Sequence, residues 1–167
     1  ELDGCAVSVN FSARQFLAPD AERRVLDTLE RHGLAPTRLK LELTERVLAG
    51  DIRRVRAVME ALAARVVEFY LDDFGTGYSN LSSVVSLPLQ YVKVDRSLLE
   101  AATNGGGGAL LLRAVMETFR GMGRGILLEG VETPEQYALA CTLRADRLQG
   151  YYLARPMPGE ELCALMR

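Results

Sequence analysis

Phe69–Leu98 reads FYLDDFGTGYSNLSSVVSLPLQYVKVDRSL, and the fold is decided within it. An apolar run ends in two adjacent carboxylates, Asp72 and Asp73, and a turn containing Gly75 and Gly77 follows at once. A second apolar run, Leu89 to Val94, carries Lys93, with Asp95 directly after it. Both runs have the residue types and length of strands. Two carboxylates, an amine and a third carboxylate therefore come to the ends of two neighbouring strand candidates. A site for a divalent cation and a phosphate is built from such groups. Two strand ends with ordinary solvated charges would read the same on this stretch, so the flanking chain has to decide.

Toward the N-terminus, Ala6–Phe11 reads as a strand with Val7, Val9 and Phe11 on one parity and Ser8 and Asn10 on the other. A helix is expected over Ala21–His32, with Asp20 as its cap, Gly33 as its stop and a Val25, Leu26, Leu29 stripe. Leu39–Thr44 is the next strand, with Lys40, Glu42 and Thr44 opposite the leucines, and a helix capped by Asp51 follows over Ile52–Ala64. Val66–Leu71 leads into Asp72, and the loop Phe74–Pro88 is long enough to suggest a functional role. Beyond Asp95, Gly105–Gly108 reads as a connector without a phosphate-loop continuation. A helix over Ala109–Arg120 and a strand over Gly125–Leu128, ending at Glu129, come next. Thr133-Pro134-Glu135-Gln136 has the signature of a helix start. The last strand is expected over Arg147–Leu153, carrying Gln149 and Tyr151, before a short closing helix.

Strand and helix alternate without hairpin signals, the pattern of a parallel sheet flanked by helices. Six strand candidates end in Asn10, Glu42, Asp72 with Asp73, Lys93 with Asp95, Glu129 and Gln149. Polar residues in series at C-terminal strand ends are expected of a (β/α)8 barrel, whose active sites lie there. A doubly wound open sheet is the competing architecture, but it does not bring six ends to one point.

Composition bounds the chemistry. With 167 residues, 49% of them hydrophobic and 25% charged, the chain fits one domain with a real core. A net charge of −2 argues against a nucleic-acid surface. No apolar run approaches the ~20 residues that span a bilayer, and no signal peptide is visible. Cys5, Cys141 and Cys163 have neither zinc nor disulfide spacing and read as buried thiols of a cytoplasmic protein. His32 is the only histidine, beside Gly33 at a helix end, so a metal here would be held by oxygens, which favours Mg²⁺ or Mn²⁺.

At VNFSARQF (9–16), LELTE (41–45), LDDFGTGYSNLS (71–82), VKVDRSL (92–98), EGVET (129–133) and QGYYLARP (149–156) the chain resembles the EAL domain family, bacterial cyclic di-GMP phosphodiesterases. The motifs stand in the family's order and cover nearly the whole chain. The Glu-Ala-Leu signature, which the family carries on a strand before VNFSARQF, is absent. The chain starts at Glu1, so residues 1–167 read as a single, N-terminally truncated domain with about six of the eight barrel strands. Leu128 stands where the family usually has Ala, and Leu98-Leu99 where Phe-Val is common.

The resemblance implies metal-dependent hydrolysis of cyclic di-GMP to the linear dinucleotide pGpG. It implies two ions, Mg²⁺ or Mn²⁺, on Asn10, Glu42, Asp72 and Asp73, with Lys93 near the attacking water. Glu129 matches the general-base or water-holding carboxylate, and Gln149 a hydrogen-bonding site residue. Glu45 matches the glutamate that anchors the loop after Asp73. Asp95 and Glu132 read equally as supporting partners of the site or as salt bridges within the barrel. Arg14 could grip a phosphate bidentately or contact guanine, and reads almost as well as a surface arginine. Tyr151, or its neighbour Tyr152, could stack on guanine or pack in the core. A homodimer is implied, as are sensor or cyclase domains upstream. The competing readings are a degenerate module that binds cyclic di-GMP or a protein without hydrolysis, and another metal-dependent barrel phosphohydrolase.

Overall fold

The computed structural model describes residues 5–48, 51–76 and 84–165. Six strands form one sheet: β1 (Val7–Asn10), β2 (Leu39–Thr44), β3 (Glu68–Phe74), β4 (Tyr91–Val94), β5 (Gly125–Leu128) and β6 (Arg147–Leu148). Every pair is parallel, and the spatial order is the chain order. Parallel neighbours require crossover connections, and these have one hand. An order that never reverses keeps the helices on one face, so the sheet curls around the other into a half-barrel. A doubly wound sheet needs a point where the order reverses, and this sheet has none.

The helices are α1 (Ala13–Leu17), α2 (Ala21–Arg31), α3 (Glu45–Leu48), α4 (Ile52–Ala63), α5 (Arg96–Thr103), α6 (Gly108–Gly121), α7 (Pro134–Thr142) and α8 (Gly159–Leu165). One strand parity faces them. Leu41, Leu43, Phe69, Leu71, Val92, Val94, Ile126 and Leu128 are buried with the inner stripes of the helices, among them Val55, Met59, Leu62, Leu99, Leu112, Met116 and Phe119. The other parity faces the lumen and holds the buried polar residues Lys40, Glu42, Asp72 and Lys93.

Local chemistry explains most boundaries. Thr133 accepts from the Gln136 N–H and Gln136 reaches back, a reciprocal cap with Pro134 at the first helical position. Asp51 caps α4 by accepting from Arg54 N, and Gly33 stops α2 at φ 60. Some expectations fail for equally local reasons. Asp20 makes no side-chain cap on α2. Val66 sits at φ 60, exposed in a turn, so the strand starts at Glu68. The last strand stops at Leu148, because the chain turns at Gly150, where a Cβ would stand 2.1 Å from Val131 O and where Leu153 N and Ala154 N both donate to the Gly150 carbonyl. Helix α1, with its Ser12–Gln15 capping box, is too short for a periodic signal and was not anticipated; neither was α5. No disulfide joins the cysteines, and none is fully buried, contrary to expectation: Cys141 is exposed, Cys5 and Cys163 half-buried.

Candidate active site

The lumen-facing residues near the ends of β2, β3 and β4, together with Glu129 just after β5, meet at one amine. Lys93 Nζ lies 2.8 Å from Glu42 Oε2, 2.7 Å from Asp72 Oδ1 and 2.9 Å from Glu129 Oε1. Its side chain is only 5% exposed. A lysine so buried would lose its proton to desolvation, but the three carboxylates hold the ammonium well above the ordinary lysine range. Burial pushes Glu129 up, Lys93 pulls it down, and the charges of Asp72 and Glu42 push it up again; the net direction is up. Asp73 is raised too, first by burial and then by the charges of Asp72 and Asp95.

The pairing of Asp72 with Asp73 depends on a backbone irregularity. Regular alternation would aim adjacent residues at opposite faces. Between the Leu71–Val92 and Phe74–Val94 rungs, β3 carries one residue more than β4. Asp73 takes up the difference at φ 56, in the left-handed region that short polar side chains tolerate best. The bulge returns Phe74 to the helix side, where its ring meets Phe119 edge-on at 4.7 Å. Carboxylate oxygens of Asp72, Asp73 and Glu129 then lie within 4.8 Å of one another. An oxygen-ligated divalent ion at about 2.0–2.6 Å from each ligand fits that spacing. Asp72 Oδ1 adds a second sign of fit: it is buried, and its contact with Lys93 is an ion pair without hydrogen-bond alignment. The donor set, all carboxylate oxygen beside one amine, suits a hard cation.

The remaining expected residues surround this centre. Asn10 is the register partner of Glu42, one strand over. Glu45 opens α3 and lines a polar cavity of about 310 Å³ with Thr44, Arg46, Asp73 and Thr76, and its charge helps raise Asp73. Residues 77–83, the middle of the loop that Glu45 was expected to anchor, lie outside the described residues. Gln149 follows β6 and is fixed through its backbone: its N–H donates to Leu128 O at 2.9 Å, and its carbonyl accepts from Val131 N at 3.1 Å. Arg14 is exposed on α1. Tyr151 is exposed, not core, with the Arg155 guanidinium over its ring. Asp95 caps α5 by accepting from Ser97 N and reaches the site through its charge on Asp73, whereas Glu132 meets Arg96 at the surface.

A layer beneath the site went unread in the sequence. Lys40 Nζ lies 2.8 Å from Glu68 Oε2, the Tyr70 hydroxyl donates to that same oxygen at 3.3 Å, and Arg147 Nη1 donates to the Tyr70 hydroxyl. Burial pushes the Tyr70 phenol up to about 12, despite the pull of Arg147. The Tyr91 ring covers Gly125, where a Cβ would stand 2.4 Å from Tyr91 Cε1. Parity alone marks these residues as inward-facing; their contacts depend on cross-strand register.

Comparison with known proteins agrees with this geometry. The EAL domain profile matches residues 2–156. The chain is 37% identical over 158 residues to the Pseudomonas aeruginosa bifunctional diguanylate cyclase/cyclic di-GMP phosphodiesterase MucR, covering 95% of this chain and 23% of that protein. It is 32% identical over 157 residues to the Escherichia coli oxygen sensor protein DosP, covering 94% of this chain and 20% of that one. Among solved structures, the MucR phosphodiesterase in complex with c-di-GMP superposes with a TM-score of 0.87 at 36% identity, over 94% of this chain and 64% of that one. A Klebsiella pneumoniae BlrP1 calcium/cy-diGMP complex gives 0.82 at 28%, over 90% and 39%. The chain thus spans about a fifth to a quarter of these full-length relatives. The sequence motifs, the single-direction parallel sheet and the profile match together establish that this chain belongs to the EAL domain family.

Proposed function

We propose that this chain is the hydrolytic part of a bacterial cyclic di-GMP signalling protein, cleaving cyclic di-GMP to pGpG. The observation that carries the reading is the Lys93 ammonium held by Glu42, Asp72 and Glu129 beside the Asp72–Asp73–Glu129 oxygen cluster. Asn10, Glu42, Asp72 and Asp73 are the residues to hold two divalent ions, Mg²⁺ or Mn²⁺. Such ions, when bound, acidify water and offset phosphate charge.

The chain's own groups account for the rest. Glu129, raised by burial and itself part of the oxygen cluster, accepts a proton from the attacking water as the water oxygen bonds to phosphorus. The P–O bond to the ribose 3′ oxygen breaks, and that oxygen takes a proton from solvent water as it leaves. Lys93 keeps its charge and counters the charge growing on the phosphoryl oxygens. Gln149 hydrogen-bonds at the edge of the site, Arg14 meets a phosphate, and the exposed Tyr151 ring offers a face for guanine. Glu45 ties Asp73 to the loop that follows it. The MucR and DosP names suggest that the full polypeptide carries sensor or cyclase domains, and we place its work in the cytoplasm as a homodimer. Among the described residues no helix is long and apolar enough to cross a membrane.

The test uses the full-length protein. Glu129→Gln should lower turnover by about 10²–10⁴-fold while cyclic di-GMP affinity stays within a few-fold. Chelation should abolish turnover, and Mg²⁺ or Mn²⁺ should restore it. Binding without turnover in the wild-type protein would favour the non-hydrolytic module, and turnover in excess chelator would remove the metal from the reading.

A further inference from the structure

We infer that the first turn of α5 is a wedge between the turns that follow β3 and β5, and that Leu98 is the positioning residue through which it holds Asp73 beside Asp72 and Glu129. This rests on the proposed metal role of Asp73. Asp73 is the residue of β3 that the sheet itself holds least. The rungs to β2 end at Thr44–Asp72, and those to β4 pass from Leu71–Val92 to Phe74–Val94, so Asp73 has none on either side. Its φ of 56 is kept instead by the turn that follows, in which the Thr76 N–H and hydroxyl both donate to the Asp73 carbonyl, at 3.3 and 3.0 Å.

The support for that turn comes from α5. Gly75 lies in the turn at φ 109, and a Cβ there would stand 2.6 Å from Leu98 Cδ1. The Leu98 side chain therefore occupies the space beside Gly75 and rests on the backbone of the turn. Leu98 is in its own right fixed to the sheet. Asp95 N donates to Phe74 O at 3.1 Å, the Asp95 carboxylate accepts from Ser97 N at 2.9 Å, and Leu98 N donates to the Asp95 carbonyl at 3.1 Å. The first turn of α5 is thus continuous with β4 and its Lys93. Its other side meets the turn after β5. Gly130 directly follows Glu129, at φ 65, and a Cβ there would stand 2.3 Å from Arg96 Cβ. Strands β3 and β5 do not pair with each other, because β4 lies between them. At the level of the site, one piece of backbone, Asp95–Leu98, therefore spaces the turn of Asp73 from that of Glu129, whose carboxylate oxygens lie within 4.8 Å of each other. All three strands are interior to the sheet, so the arrangement involves neither of its edges.

The test uses the full-length protein and compares Leu98→Ala, Leu98→Val and Leu98→Met with Leu99→Val and Arg96→Ala. Mn²⁺ binding is followed by titration calorimetry, the site in question being the binding that Asp73→Asn removes. Leu98→Ala should weaken that binding about tenfold, the lower end of what losing a partner that supports a metal ligand costs. Leu98→Val should weaken it less, and Leu98→Met, which keeps the volume and reach of the side chain, should stay within about twofold of the wild type. Amide exchange at Thr76 should speed by about tenfold in Leu98→Ala as the turn opens locally, while the Glu129 N–H, bonded to Val94 O at 3.1 Å, exchanges as in the wild type. Leu99→Val trims the fully buried neighbour and should lower Tm while leaving Mn²⁺ affinity unchanged. Arg96→Ala, which keeps the Cβ that meets Gly130, should change neither Mn²⁺ affinity nor exchange at Glu129. Unchanged Mn²⁺ affinity in Leu98→Ala, or an equal loss in Leu99→Val, would overturn the inference; if Leu98→Ala does not fold, Leu98→Val set against Leu98→Met decides it in the same way. If the wild-type protein has no Mn²⁺ site that Asp73→Asn removes, the proposed metal role fails by itself, and exchange at Thr76 still decides whether Leu98 holds the turn.

Discussion

Replacing Lys93 by methionine isolates what holds the site together. Methionine fills nearly the same volume without charge, so the change removes one ammonium from among Glu42, Asp72 and Glu129, each within 2.9 Å of it. At an effective dielectric near 20, unit charges 4 Å apart interact by about 4 kcal/mol, so three attractions vanish while the repulsions among the carboxylates remain. Removing one partner of a buried ion pair typically costs 3–5 kcal/mol. For a domain of this size each kcal/mol lowers Tm by about 2–4 °C, so a fall of roughly 6–20 °C is expected at pH 8. Glu129 is already raised by burial, and losing Lys93 moves it further in the same direction. A carboxyl whose folded value lies above its unfolded value, about 4.3, lends its stability below that value and loses it as pH rises through the folded value. Wild-type Lys93, raised above the lysine range, keeps its contribution across the same interval. The deficit of the variant should therefore be small at pH 5 and largest at pH 8. Mg²⁺ should raise the variant's Tm more than the wild type's, because it replaces part of the missing charge. Thermal melts at the two pH values, with and without Mg²⁺, read both effects. A deficit of equal size at pH 5 and pH 8, with no extra gain from Mg²⁺, would mean that lost packing and not charge is responsible.

Asp73→Gly should keep or slightly raise Tm, since glycine relieves roughly 1 kcal/mol of left-handed strain at φ 56, while weakening Mg²⁺ or Mn²⁺ binding measured by calorimetry; a clear fall in Tm would refute the strain argument. Gly125→Ala should lower stability by about 1–3 kcal/mol, because its Cβ would stand 2.4 Å from the Tyr91 ring; an unchanged denaturant midpoint would show that the ring yields freely.

Much of the architecture was legible in the chain. Alternation of Leu39, Leu41 and Leu43 with Lys40 and Glu42, and the capping signals at Asp51 and Thr133, are local facts, and the strands and helices they mark are present. The polar strand ends Glu42, Asp72, Lys93 and Glu129 were likewise visible, and they do meet. These features depend on residues two to four positions apart, a range over which backbone geometry is nearly fixed. What required the tertiary structure was cross-strand register. Only the slip between β3 and β4 turns Asp72 and Asp73 toward one point, although neighbours on a regular strand diverge. Only the closeness of β3, β4 and β6 across the lumen puts Arg147 against Tyr70 and Tyr91, 77 residues apart in the first case. The pleat tells each residue which face it joins; which residue meets it there is fixed by the pairing and curvature of strands far apart in sequence.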